Sequence, residues 1–157
     1  MAIVKGRQTV ENNEDLVVFL IGGRVNKWWL LPIVLPVFIM MPRMLRELAK
    51  NPDLGLLGVQ SLGTGGMVQY WKSMEHLQAY AADRQRLHQP TWTRYVRKLM
   101  PIAAAGIWHE TFVVRAGNYE SVYTHMPKWG MGLFKPLVPV HGHRDSARGR
   151  MAGAAAA

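Results

Sequence analysis

The chain has 157 residues, of which 49% are hydrophobic and 18% charged, with a net charge of +9 and no cysteine. That length suits one domain with its own core and is too short for two ordinary ones. Without cysteine there is no disulfide framework, no thiolate nucleophile and no cysteine-based zinc site. Clustered positive charge would favour nucleic-acid binding, but the basic residues are scattered along the chain, so no nucleic-acid partner is predicted.

Composition divides the chain into three regions. Residues 1–13 are polar and predict a flexible arm, and residues 14–135 predict the folded domain. Residues 136–157 end in a low-complexity, alanine-rich segment and predict an extended, disordered tail. The arm has no apolar signal-peptide core, so a cytoplasmic location is predicted.

Two apolar segments follow the arm. Residues 16–21, LVVFLI, precede a pair of glycines and predict a strand that is buried on both faces. Residues 28–42, WWLLPIVLPVFIMMP, contain prolines and are shorter than the roughly 20 apolar residues that a bilayer core needs. Phe38 and Met41 begin an apolar stripe at helical spacing, so this segment predicts a buried helix and membrane contact is not expected. A helix lying in a membrane interface is the alternative.

The pattern predicts two hairpins. Residues 55–62 and 67–71 are strand-like and are separated by a glycine-rich turn. Residues 106–115 and 119–125 flank the sequence Ala-Gly-Asn, which predicts the second turn.

A helix is predicted between the hairpins. Ser73 is suited to cap its start, and Leu77 and His88 lie on nearly the same helical face because eleven residues close on about three turns. Pro90 disfavours helical geometry just before it, so His88 is predicted in the last turn. Residues 92–99 predict a second short helix.

The predicted element order is βαββαβ with one additional C-terminal strand, an α+β, ferredoxin-like arrangement. Its helices cover one face of the antiparallel sheet, yet residues 16–21 are apolar on both faces. A second copy of the sheet is the simplest cover for the other face, so a homodimer that forms a dimeric α+β barrel is predicted.

The strand that contains Trp-His-Glu-Thr supplies candidate catalytic residues. Alternation along the predicted second hairpin places His109 with Tyr123 on one face and Trp108 with Glu110 on the other. An acid in apolar surroundings or an imidazole can carry a proton near neutral pH, so His109 and Glu110 are both candidates. The alternatives are a hydrogen-bonded core histidine and a carboxylate paired with an arginine across a dimer.

Aromatic residues and one histidine supply a candidate binding wall. Tyr70 and Trp71 end a strand, and Tyr80 lies on the helix that follows, so these side chains either line an apolar pocket or belong to the core. His88 either caps backbone carbonyls or ligates haem iron. No metal site is predicted, because the histidine pair in the tail lacks a third ligand.

Several motifs together resemble a known family. They are Tyr70-Trp71-Lys72-Ser73, Leu77 with Tyr80-Ala81, His88 and Trp92, the sequence GIWHET at 106–111 and the sequence YESVY at 119–123. The pattern resembles the small fumagillin-pathway monooxygenase-like family, within the antibiotic biosynthesis monooxygenase type of dimeric α+β barrel, over roughly residues 14–135.

The resemblance implies that dioxygen oxygenates an apolar or conjugated small molecule in a pocket between sheet and helices, with either no cofactor or haem. In such an enzyme His109 or Glu110, the candidates from the strand pattern, would transfer a proton. By the resemblance, His88 corresponds in position to an axial histidine of haem-degrading relatives. The pocket-lining residues would be Tyr70, Trp71, Tyr80, Trp108 and Tyr123. Two alternatives stay open: a haem-binding protein or haem-dependent dehydratase of this fold, and a non-catalytic ligand-binding or membrane-peripheral protein.

Overall fold

A computed structural model of the chain describes residues 2–63 and 65–152. Its strands are β1 (Arg7–Val10), β2 (Leu16–Val25), β3 (Leu56–Gly63), β4 (Gly66–Trp71), β5 (Ala105–Val114), β6 (Tyr123–Thr124) and β7 (Leu137–Pro139). Its α-helices are α1 (Leu31–Phe38), α2 (Met40–Lys50), α3 (Met74–Ala82), α4 (His88–Lys98) and α5 (Ala147–Ala152). Short 3-10 helices lie at Trp28–Leu30, Pro52–Leu54, Gly130–Leu133 and Gly142–Asp145.

The main sheet is antiparallel, in the order β3-β4-β2-β5. Two helices connect β2 to β3, and two more connect β4 to β5, so the chain order is βαββαβ. This order of strands, with the first and third of the unit adjacent at the centre, is the ferredoxin-like arrangement. The predicted α+β ferredoxin-like fold is therefore confirmed.

The predicted second hairpin is wrong. β5 pairs instead with β2 over ten residues, from Val114 opposite Leu16 to Ala105 opposite Val25. After β5 the chain turns beside the start of β2, where the backbone N–H of Ala116 donates to Oδ1 of Asp15 at 2.8 Å. A ten-residue ladder on a central strand satisfies more backbone groups than a short local hairpin, and that long-range pairing prevails.

One strand each from the arm (β1), from residues 123–124 (β6) and from the tail (β7) form a second sheet, in the order β6-β1-β7. Thr9 and Val10 of β1 are buried, so residues 7–10 are not a flexible arm. β7 pairs with β1, so the prediction of a disordered tail is wrong for residues 137–139. Met1 and residues 153–157 lie outside the described residues.

The chain after β6 covers part of the outer face of the main sheet. Phe134 makes the contact, since its ring centroid lies 5.2 Å from that of Tyr70. Gly58 permits the approach, because a Cβ atom there would lie 2.7 Å from Cδ1 of Phe134. The β5 side of the outer face stays exposed, with Trp108 and Phe112 each 48% exposed.

The helices differ from the prediction at two places. The segment predicted as one buried helix is divided at Ile39, and α1 buries only Val34 and Val37. The predicted helix that ends at His88 instead ends at Ala82, and His88 begins α4. Pro90 therefore lies in the first turn of a helix, where proline is tolerated because its missing N–H has no helical partner.

The core has two buried clusters between the inner face of the main sheet and the helices. The first joins α1, α4 and the start of β5 and consists of Val34, Val37, Tyr95, Leu99, Ala104 and Ala105. The second joins α2, α3 and the ends of β2 and β4 and consists of Val17, Met44, Leu48, Trp71 and Tyr80. A cavity lined by residues from both clusters is the candidate functional site.

Candidate active site

The cavity has a volume of about 840 Å³ and lies between the inner face of the main sheet and helices α1 to α4. Most of its lining is aliphatic, aromatic or methionine side chains. Among the residues that the structure describes, no Lys, Arg, Asp or Glu lines it. Because an ion pays a large desolvation cost in such surroundings, the cavity suits a neutral, apolar molecule.

The sheet side of the cavity is formed by alternate side chains of two neighbouring strands, β2 and β5. Phe19 and Ile21 of β2 face inwards, and their cross-strand partners on β5 are Thr111 and His109. The ring centroids of Phe19 and His109 are 5.4 Å apart. An imidazole therefore lies against an aromatic ring on the cavity wall.

Glu110 lies on the opposite face of β5, where it pairs with Leu20 and is exposed. It does not line the cavity with its neighbour His109. The alternation predicted from sequence thus separates the two candidate proton carriers, and a role for Glu110 inside this cavity does not fit its position.

Trp71 and a residue that sequence reasoning missed form a polar pair on the cavity wall. Nε1 of Trp71 donates a hydrogen bond of 3.0 Å to Oε1 of Gln69, and both side chains are buried. Gln69 precedes Trp71 by two residues and therefore lies on the same face of β4. A polar residue two positions before a strand-end tryptophan was the feature of the sequence that could have indicated this pair.

Tyr80 of α3 lines the cavity and is held from behind by α2. Its hydroxyl donates a hydrogen bond of 2.9 Å to Oε2 of Glu47, which also accepts one of 3.3 Å from the backbone N–H of Leu87. Burial raises the pKa of Tyr80, and the hydrogen bond to Glu47 raises it further. The hydroxyl therefore stays protonated, and Glu47 joins α2, α3 and the segment before α4.

His88 lines the cavity from the first residue of α4. Its Nδ1 atom lies 2.9 Å from the carbonyl oxygen of Ala81, and its ring centroid is 6.1 Å from that of Tyr80. A carbonyl oxygen only accepts, so Nδ1 carries the proton and, in the neutral ring, Nε2 does not. The contact with a backbone carbonyl is one of the two alternatives that the sequence left open for His88. The predicted position in the last turn of the preceding helix is wrong, because His88 begins α4.

Three predicted pocket residues lie elsewhere. Tyr70 and Trp108 are on the outer face of the main sheet, and Tyr123 belongs to the second sheet. The hydroxyl of Tyr123 accepts a hydrogen bond of 3.0 Å from the backbone N–H of Gly132. Burial raises the pKa of Tyr70, with a smaller contribution from the neighbouring Tyr123. Tyr123 was misplaced because its predicted face depended on a hairpin that does not form.

Comparison with solved structures shows the same fold in a distant protein. The structure of aldoxime dehydratase OxdRE in complex with butyraldoxime is similar, with a TM-score of 0.62 and 17% sequence identity. The similarity covers 84% of this chain and 41% of that one. A dimeric ferredoxin-like protein of unknown function from Bacteroides fragilis NCTC 9343 has a TM-score of 0.41 and 8% identity, covering 66% of this chain and 99% of that one.

Sequence comparison identifies the family. Monooxygenase af470 of Aspergillus fumigatus is 35% identical over 86 residues, which cover 50% of this chain and 30% of that protein. The chain thus spans less than two thirds of the length of this relative. The family described as Monooxygenase af470-like matches residues 16–131, which include the ferredoxin-like unit and the whole cavity wall. The chain belongs to the Monooxygenase af470-like family.

Proposed function

We propose that this protein is a small monooxygenase that uses dioxygen to oxygenate a neutral, apolar and conjugated molecule held in the cavity. The observation that carries the proposal is the cavity of about 840 Å³, which has an imidazole on its wall and no Lys, Arg, Asp or Glu among its described lining residues. The family match supports an enzyme over a non-catalytic binding protein. The apolar, uncharged lining of the cavity supports a neutral, apolar substrate.

The proposed reaction oxidises an activated methylene group. His109 accepts a proton from the substrate carbon, and the carbanion supplies electrons to dioxygen. One oxygen atom enters the substrate as a carbonyl group, and the other leaves as water with the two hydrogens of the methylene. The substrate itself is the reductant, so the atoms and electrons balance without a further donor.

The remaining wall residues orient the substrate. The indole N–H of Trp71 is already bound to Gln69, and the hydroxyl of Tyr80 is already bound to Glu47. Both polar atoms are thus satisfied by protein partners, so these two side chains offer a conjugated substrate their apolar ring surface. A substrate that fills the cavity also displaces water, which protects a reactive carbanion from solvent protons.

Oxygen uptake with dithranol, a tricyclic anthrone with an activated methylene group, tests the assignment. We expect turnover above the uncatalysed background, and we expect His109→Ala to lower it by about 10²-fold or more, since general-base catalysis contributes that much. Glu110→Ala is the matched control on the opposite face and should stay within a few-fold of wild type. Equal loss in both variants, or none in His109→Ala, would contradict the role of His109.

We also propose that a second copy covers the exposed part of the outer face. Trp108 and Phe112 lie there on either side of Glu110, and β5 is an edge strand of ten residues. Exposed aromatic side chains on a long edge strand favour association between chains. This supports a homodimer in which the cavities remain separate from the interface.

A haem-binding protein, including a haem-dependent dehydratase, is a second candidate. The observation that favours it is the hydrogen bond from Nδ1 of His88 to Ala81, because iron-ligating histidines commonly donate their other N–H to a backbone carbonyl. Nε2 of His88 would then hold the iron, which supplies electron-transfer and substrate-activating chemistry when bound. The lining fits less well, because no Lys or Arg among its described residues would balance the haem propionates.

Haemin titration separates the two candidates. A Soret band that is lost in His88→Ala and kept in His76→Ala would establish haem binding at His88. A protein that takes up no haemin and still consumes oxygen with dithranol would exclude the haem-binding candidate and support the monooxygenase.

A further inference from the structure

One segment of the surface is unusually apolar. Trp28 and Trp29 are 69% and 75% exposed, and they precede a helix whose outer side is also apolar. We call these exposed side chains the α1 surface; they are Trp28, Trp29, Leu31, Ile33, Leu35 and Ile39. A surface of large apolar side chains in one place indicates an interaction site rather than scattered exposure.

The α1 surface stands on a rigid support. Val34 and Val37 on the inner side of α1 are buried in the cluster with Leu99. The backbone N–H groups of Asn26 and Lys27 both donate to the carbonyl oxygen of Ala104, at 2.9 and 3.2 Å. The apolar surface is therefore presented by a packed core.

The segments that contain α1 and the neighbouring α4 carry basic residues and no acidic ones. Residues 16–46, which contain α1, include four basic residues and no Asp or Glu. Residues 84–109, which contain the neighbouring α4, include five basic residues and no Asp or Glu. Arg94, Arg97 and Lys98 of α4 are exposed. The basic residues are scattered along the sequence, but the acidic residues are absent from both of these segments.

We propose that the α1 surface docks the protein on an anionic lipid bilayer. Tryptophan is enriched at membrane interfaces, where its ring meets the acyl boundary and its N–H meets water. Basic side chains beside it are attracted to anionic headgroups. A second copy of the chain would bring like charges together, so the charge pattern favours a lipid surface over self-association at this site.

In the proposed docking, the α1 surface lies in the plane of the membrane–water interface and does not span the bilayer. The consecutive helices of Trp28–Lys50, divided at Ile39, span 23 residues and are together long and apolar enough to cross a membrane by length and composition. The second half of this segment, however, is part of the core, because α2 buries Met44 and Leu48 and its Glu47 binds Tyr80. Only the first half is available to lipid, which is the geometry of a peripheral contact.

The same segment also forms a wall of the cavity. Val37 and Phe38 of α1 line it, together with Met41 of α2. Docking would therefore bring the cavity close to apolar molecules dissolved in the bilayer. This consequence rests on the proposed function, whereas the docking itself does not.

Vesicle flotation tests the docking without any assay of activity. Vesicles of phosphatidylcholine with phosphatidylserine are compared with vesicles of phosphatidylcholine alone. We expect the wild-type protein to float with the anionic vesicles, and we expect combined Trp28→Ser and Trp29→Ser substitutions to weaken binding by at least about tenfold through lost apolar burial. Combined Arg94→Glu and Arg97→Glu substitutions should weaken binding in a salt-dependent manner.

Trp129→Ser is the matched control, since Trp129 is also exposed and lies outside the α1 surface. Binding that survives in this variant supports the proposal. No flotation with either vesicle, or equal losses in the control and the double tryptophan variant, would overturn it. A concentration-dependent self-association that the double variant abolishes, without any lipid binding, would also overturn it and identify a second copy as the occupant.

Discussion

The Nδ1 atom of His88 lies 2.9 Å from the carbonyl oxygen of Ala81, seven residues earlier in the chain. The hydrogen bond joins the first residue of α4 to the last turn of α3 across the turn between them. It holds the imidazole ring against the cavity and determines which ring nitrogen is protonated. One contact thus links the packing of two helices to the chemistry that His88 can offer.

Removing this contact should cost stability. His88→Ala leaves the carbonyl oxygen of Ala81 without its donor, and we expect the free energy of unfolding to fall by about 1 kcal/mol or more. Urea denaturation measures the change. His88→Asn supplies a side-chain N–H and should recover part of the loss. The same substitution at the exposed His141, His141→Ala, should have no effect, and an equal loss there would contradict the prediction.

The stability of the protein should depend on Tyr80 at alkaline pH. Burial and the hydrogen bond to Glu47 raise the pKa of Tyr80, so the folded protein keeps a proton that the unfolded chain loses above about pH 10. This contribution is complete below the unfolded pKa and is lost as pH rises towards the folded pKa. We expect stability to fall less steeply between about pH 9 and pH 11 in Tyr80→Phe than in wild type.

Urea denaturation across that pH range measures the slope for both proteins. A smaller dependence should remain in Tyr80→Phe, because the pKa of Tyr70 is also raised by burial. Identical slopes in the two proteins would show that Tyr80 is not the group responsible.

The cavity should bind a neutral apolar probe on the inner face of β5. Thr111 lines the cavity, so Thr111→Trp should fill part of it and weaken binding of phenylnaphthylamine by about tenfold or more. Phe112→Trp, on the next residue and the opposite face, should leave binding unchanged. Fluorescence titration measures both, and equal effects would place the probe elsewhere.

The same titration tests whether the uncharged lining of the cavity disfavours a charged ligand. Anilinonaphthalene sulfonate has similar rings and an added anion, and we expect the cavity to bind it more weakly than the neutral probe. A preference for the anion that disappears in Thr111→Trp would contradict the proposed class of substrate.

Self-association should depend on the exposed outer face. Phe112→Asp places a carboxylate beside Glu110 and within an apolar contact, and we expect it to raise the dimer dissociation constant by about a hundredfold or more. Sedimentation velocity at several concentrations measures this. Leu35→Asp changes the α1 surface and should leave the dimer intact. A dimer lost in Leu35→Asp and kept in Phe112→Asp would assign the interface to the other surface.

Local patterns in the sequence determined the elements and the order in which they follow one another. Apolar runs beside glycines predicted the strands of the βαββαβ unit, and Ser73 caps α3 as predicted, with its Oγ accepting from the N–H of His76. Alternation also separated His109 from Glu110, because neighbouring side chains on a strand face opposite ways whatever the strand pairs with. These features depend on residues close together in the chain.

Only the tertiary structure decided the partners of those elements. A turn at residues 116–118 predicted a local hairpin, but β5 gains a longer ladder on β2, and Tyr123 consequently lies in another sheet. Pro90 is compatible with either a helix end or a helix start, and the packing of α4 selects the start. The exposure of Trp28 and Trp29 likewise depends on which side of α1 the core covers. Local propensity is fixed by a few residues, whereas pairing and burial depend on the total contact made by distant segments.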